Sequence, residues 1–226
     1  MRLIPVLLLM VVLAGCGRPL SPGEAAFAAR LHGDTLDTGH IRFVDGALVG
    51  KIEQTRKRRP RRTCRERLLP PPQGETVTVA PAGVAIHNRV FFSRDWYRDD
   101  YLPDWPRRMS LTNAMLLAHE LTHVWQWQNR DVTGYSPLGA VREHNAAADP
   151  YLFEIGTAAP RLLDYGYEQQ ASIVEEYVCC ATLDPGAPRT RRLAAMLRGA
   201  FPVRALPEPG EVTLPWPEAD TDGICR

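Results

Sequence analysis

The side chains of this sequence best suited to chemistry are two histidines four residues apart, His119 and His123, with Glu120 directly after the first. On an α-helix, positions i and i+4 lie one above the other on the same face, so the two imidazoles can converge on one metal ion. At 3.6 residues per turn, Glu120 stands about 100° round from His119 and about 60° from His123. It can flank the ion without ligating it, and there a carboxylate can take a proton from water and hand it to a leaving group. Ligand type and spacing together name zinc as the expected cofactor.

These residues need a rigid support. Ser110 and Thr112 are both acceptable N-caps, and the pattern that follows predicts a helix running to about Asn129. Its apolar members Met115, Leu117, Leu121, Val124 and Trp125 wrap more than one face, so the helix is largely buried. A catalytic zinc site also needs a third protein ligand and an open position. No further histidine follows His123 at short spacing, so that ligand comes from elsewhere in the chain. A second helix is expected over residues 165–183, closed by Asp184-Pro185-Gly186. It carries Glu168, Glu175 and Glu176, whose ordinary alternative is a solvated helical face.

Two motifs taken together, His119-Glu120-Leu121-Thr122-His123-Val124-Trp125-Gln126 and Tyr165-Gly166-Tyr167-Glu168-Gln169-Gln170-Ala171, carry a resemblance. The chain resembles gluzincin-type zinc metallopeptidases, and a group of little-characterised bacterial proteins with the same two motifs. The resemblance covers residues 110–180. It implies Glu168 as third ligand, with small Ala171 letting the helices approach; Glu175, two turns further along the same helical face, is the rival ligand. It also implies an active-site helix beneath a small sheet whose edge strand holds an extended substrate. One departure stands out: Ser172 occupies the place where such enzymes carry an aspartate that orients a histidine, a role that fixes tautomer and basicity. His144, Tyr151, Tyr165 and Tyr167 are candidate donors to an oxyanion.

The remaining elements frame this pair of helices. Ser21-Pro22-Gly23 opens a helix through Leu31, with Gly33 as its stop. Residues 40–44, the turn Asp45-Gly46 and residues 47–52 read as a β-hairpin. Residues 76–79 and 84–92 read as strands, the second being the candidate edge and carrying His87. Arg189 to Ala200 reads as a last amphipathic helix. The fold class expected is α+β, a small antiparallel sheet on the two ligand-bearing helices.

Composition places these parts in one globular chain of 226 residues, 45% hydrophobic and 23% charged. Met1-Arg2 and the apolar residues 3–13 have the form of a secretory signal, too short to span a bilayer comfortably. Leu13-Ala14-Gly15-Cys16 resembles the lipobox of bacterial lipoproteins, which implies a lipidated Cys16 and membrane anchoring; Gly17 in place of an aspartate implies the outer membrane, facing the periplasm. An ordinary signal peptide is the alternative. The expected division is a signal over 1–15, an anchor, hairpin and basic linker over 16–74, a metallopeptidase domain over 75–201 and a Pro-rich tail over 202–226.

Cysteine usage agrees with export, since Cys64, Cys179, Cys180 and Cys225 form an even set. Neighbouring cysteines rarely bridge each other without strain, so Cys179 and Cys180 are expected to reach Cys64 and Cys225, in either order. Without a C-x-x-C spacing a zinc site from these four is disfavoured. Eight basic residues between Arg56 and Arg67 read as a solvated loop, with anionic head groups as the alternative partner. The formal net charge is +1, and loss of residues 1–15 with Arg2 brings it to zero, so no global field favours nucleic acid. The expected function is a zinc metallopeptidase of the bacterial cell envelope acting on peptide, protein or peptidoglycan stem, with Glu120 as base. The alternative is a non-catalytic zinc-containing envelope lipoprotein that binds a partner.

Overall fold

A computed structural model describes residues 17–46, 53–71, 73–146, 149–154 and 161–226. The lipobox with Cys16, the signal segment and the second strand of the expected hairpin lie outside the described residues. The helices are α1 (Pro22–Leu31), α2 (Cys64–Leu68), α3 (Leu111–Gln128), α4 (Arg130–Thr133), α5 (Pro137–Ala146), α6 (Tyr167–Leu183) and α7 (Pro188–Arg198). The strands are β1 (Arg42–Asp45), β2 (Gln54–Lys57), β3 (Thr76–Val79), β4 (Gly83–Ile86), β5 (Arg89–Phe92), β6 (Arg108–Ser110) and β7 (Glu211–Thr213). The chain is α+β.

Local signals set the ends of the main helices. Ser21 accepts from the Glu24 amide while the Glu24 carboxylate accepts from the Ser21 amide, a reciprocal box that starts α1. Ser110 does the capping of α3, its hydroxyl accepting from Asn113 N–H. The largest contact between elements is α3 against α6. Leu117, Leu121 and Val124 from α3 and Ile173, Val174 and Val178 from α6 are all fully buried there. One core takes these in together with Phe27 of α1, Phe43 of β1, Leu193 of α7 and Ile224 near the end.

The sheet beside α3 is mixed, in the order β1-β5-β4. The antiparallel sheet expected is corrected here: β1 runs parallel to β5, pairing Phe43 with Val90, and only β4 and β5 are antiparallel. The single strand expected over residues 84–92 is two strands folded about His87-Asn88. His87 takes a left-handed conformation (φ 56°) that a tight hairpin requires, and its ring stacks on Trp127 at 4.0 Å. Of the expected edge strand, β4 lies at one edge of the sheet, opposite β1, and β5 lies in the middle.

Both disulfides join α6 to a distant segment: Cys64–Cys179 ties it to α2, and Cys180–Cys225 ties it to the C-terminal tail. Successive helical residues point about 100° apart, which is why neighbours reach opposite partners. The basic run is only partly the solvated loop expected, since Lys57 and Arg62 are exposed while the other basic side chains are half-buried. Arg59 pairs with Asp149, Arg62 with Glu154 and Arg65 with Glu175, while Arg67 donates to the carbonyls of Gly223 and Ile224.

Candidate metal centre

The apposition of α3 and α6 brings three ligand atoms together. His119 Nε2 and His123 Nε2 are 3.2 Å apart, and Glu168 Oε2 lies 3.3 Å from the first and 3.2 Å from the second. Ligands about 2.0–2.1 Å from a tetrahedral zinc are separated by about 3.3 Å, so the triangle has the size of one face of a zinc coordination shell. Among the described residues, His119, His123 and Glu168 form one of two groups able to hold a metal. The other, Cys64, Cys180 and Cys225, is already committed to disulfides.

The histidine tautomers support the same fit. Gln126 turns its Nε2 to two acceptors, the Tyr167 carbonyl at 2.9 Å and Gln170 Oε1 at 3.0 Å. Its Oε1 must then face His123 Nδ1, 2.9 Å away, and accept that nitrogen's proton. The lone pair of His123 is left on Nε2, pointing at the triangle. Two imidazole nitrogens and a carboxylate oxygen meeting at this distance can share a proton or hold a metal cation between them.

Burial and charge set the electrostatics without a metal. Burial disfavours charge on His119, but Glu168 and Glu175 outweigh it and raise the imidazole to about 10. Burial likewise opposes ionisation of Glu168, yet His123 and His119 hold its carboxyl well below the usual range. Glu120 is pushed the other way, chiefly by burial. It is buried with Oε2 lacking a hydrogen-bond partner. Its Oε1 lies so close to Gly83 of β4 that a Cβ there would meet it at 3.0 Å. Only main chain fits between the edge strand and this carboxylate.

Other expected residues fall into two sets. His144 Nδ1 is 3.9 Å from Glu168 Oε1, and the Tyr151 ring lies 5.9 Å from that of His119 and 5.8 Å from that of His144, so both flank the triangle. Tyr165 and Tyr167 do not: their hydroxyls donate to the carbonyls of Glu154 and Gly134. Ser172 Oγ is buried without a hydrogen-bond partner and so orients neither histidine. Glu175 does not join the triangle; its Oε2 lies 3.4 Å from Nδ1 on the opposite side of the His119 ring. Gln126, Gly83 and Arg65 were not anticipated as site residues. For Gln126 a signal exists, a buried amide one turn after the second histidine.

No family model matches the chain. The type VI secretion system spike protein VgrG2b of Pseudomonas aeruginosa is 28% identical over 193 residues. That match takes in 84% of this chain and 15% of the spike protein, so the chain spans about a seventh of that relative. The solved effector domain of Pseudomonas aeruginosa VgrG2b is similar in structure, with a TM-score of 0.53 and 25% identity, covering 84% of this chain and 86% of that domain.

These likenesses correct four expectations: membership of the gluzincin-type lipoprotein group, a cell-envelope zinc peptidase or binding lipoprotein as the function, the lipoprotein and periplasmic character, and the outer-membrane location. The relatives found are a secretion spike and its effector domain. The physical reason lies in the range of the signals. A metal-binding helix motif and a four-residue lipobox are both short, and neither determines how the other elements of the chain are arranged.

Proposed function

We propose that the chain is a zinc-dependent peptidase, an effector-type domain comparable with that of the VgrG2b spike. The single observation carrying this reading is the triangle of His119, His123 and Glu168, with edges of 3.2–3.3 Å, beside the buried Glu120. On this reading α3 lies beneath the sheet in the zincin manner, with β4 toward Glu120. His119, His123 and Glu168 would hold the metal, which when bound supplies Lewis acidity to a scissile carbonyl and to a water.

The protein's own groups do the rest. Glu120, kept from full solvation by burial and from side-chain contact by Gly83, takes the proton from water and passes it to the leaving amine. His144 and Tyr151 flank the triangle and would donate to an oxyanion developing there. Gln126 keeps His123 in one tautomer throughout.

Metal analysis of purified protein should find about one zinc per chain, the stoichiometry of a mononuclear site. Glu120→Gln should retain that zinc and lose turnover of an unfolded protein substrate. Wild-type turnover by this variant would refute the assignment of the base.

A further inference from the structure

His119 is gripped from both sides by one helix. Glu168 and Glu175 are seven residues apart on α6, almost two full turns, and both face α3. Glu168 Oε2 meets Nε2 of the ring at 3.3 Å, and Glu175 Oε2 meets Nδ1 at 3.4 Å. Nδ1 is buried and has no aligned hydrogen-bond partner; Glu175 is the acid within reach. Glu175 is buried too, and its cation is Arg65, at 3.0 Å.

Arg65 sits on α2, a helix of five residues that is too short to be stable by itself. Its position comes from outside. The Cys64–Cys179 bridge staples it to α6, and Cys64 N–H donates to Glu176 at 2.8 Å. The disulfide is therefore adjacent in the chain to the arginine that holds Glu175, and one turn along α6 from Glu175 itself.

We propose that Glu175 is a positioning residue that keeps the proton of His119 on Nδ1, and that the Cys64–Cys179 disulfide holds it in place through Arg65, so that metal affinity follows the oxidation state of this bond. The proposal rests on the reading of His119, His123 and Glu168 as zinc ligands. A ligating histidine binds through a lone pair, so the proton must sit on the other nitrogen, where a carboxylate fixes the tautomer and raises ligand basicity. Ser172, at the place where an aspartate was expected to do this, leaves the task open; Glu175 does it from one helical turn further on. Reduction by a dithiol transfers two electrons and two protons to the bridge, giving the Cys64 and Cys179 thiols and converting the dithiol to its own disulfide. It frees α2, and with it Arg65.

The test uses the full chain and zinc itself, with affinity read by competition against a chromophoric chelator and ring nitrogen shifts of His119 read by NMR. Glu175→Gln should still bind one zinc, with affinity lowered roughly 10- to 100-fold, and should lose the single His119 tautomer in the metal-free protein. Glu175→Asp should recover part of both. Reducing the wild type, or making Cys64→Ser with Cys179→Ser, should weaken zinc similarly, and in the Glu175→Gln background should add little.

An unchanged affinity and an unchanged His119 tautomer in Glu175→Gln would overturn the positioning role. An equal loss on reduction with or without Glu175 would overturn the route through Arg65. Failure of the wild type to bind zinc, or undiminished binding by His119→Ala, would instead bring down the underlying ligand assignment. A thermal melt of each variant separates loss of metal affinity from loss of fold.

Discussion

The two histidines of one motif are held in different ways. His123 is fixed by a neutral amide, Gln126, whose own orientation is locked by Tyr167 and Gln170. His119 instead faces a carboxylate, Glu175, 3.4 Å from its Nδ1, whose charge is balanced by Arg65 on a disulfide-stapled helix. The first support is local and carries no charge. The second extends across the chain and brings with it the sensitivities of an ion pair. Identical ligands four residues apart can thus differ in what disturbs them.

Metal removal should give the largest effect. Zinc at a thousandfold over its Kd should stabilise the fold by about 4 kcal/mol, read as the difference between thermal melts with and without chelator. His123→Ala should abolish that difference. If both forms melt together in the wild type, neither histidine support serves a metal.

Next comes Gln126→Leu, which strips the partner from His123 Nδ1 and from the Gln170 amide oxygen. Leaving buried polar groups unpaired should cost about 1–3 kcal/mol in denaturant unfolding, together with weaker zinc. Unlike the Arg65 side of the site, this loss should be the same before and after disulfide reduction. A redox-dependent loss would erase the contrast between the two supports.

Gly83→Ala tests the carboxylate between them. The added methyl meets Glu120 Oε1 and the Phe91 carbonyl. Overpacking of this kind typically costs about 1–3 kcal/mol, and here it should appear as a fall in kcat with zinc content unchanged. Normal kcat would show that Glu120 has room to move.

The pH profile of the metal-free protein tests the charges themselves. His119, raised from 6.5 to about 10, contributes stability that is complete below about pH 6.5 and disappears as pH climbs through 10. Glu168, lowered from 4.5, contributes stability that is present above its unfolded value and lost as pH falls. Chelator-treated protein should therefore melt highest between these two unfolded values, and Glu175→Gln should reduce the loss on the alkaline side. A profile that stays flat as pH falls below 4.5 and climbs through 10 would contradict the paired charges.

What could be read in the sequence was what nearby residues decide. The i, i+4 spacing aimed His119 and His123 at one point, Ser21 with Glu24 started α1, and adjacent cysteines pointed apart to separate partners. The rest depends on distant chain. Nothing near Arg65 shows that it meets Glu175, 110 residues away. Residues 84–92 alternate well enough to read as one strand, and only the left-handed backbone at His87 turns them into a hairpin. Eight basic residues together looked solvated because Asp149, Glu154 and Glu175 lie far along the sequence.

Helix α6 carries Glu168, Glu175 and Glu176, then Cys179 and Cys180, each committed to a fixed partner around it. A substitution at one of these positions disturbs one partner. One extra residue inserted after Glu168 would turn everything beyond it by about 100°. The contact of Glu175 with His119, its ion pair with Arg65, the hydrogen bond from Cys64 N–H to Glu176 and both covalent bridges would then miss at once. Such a helix accepts changes of residue type but not of length, and its reading frame around the axis is as fixed as the register of a gear.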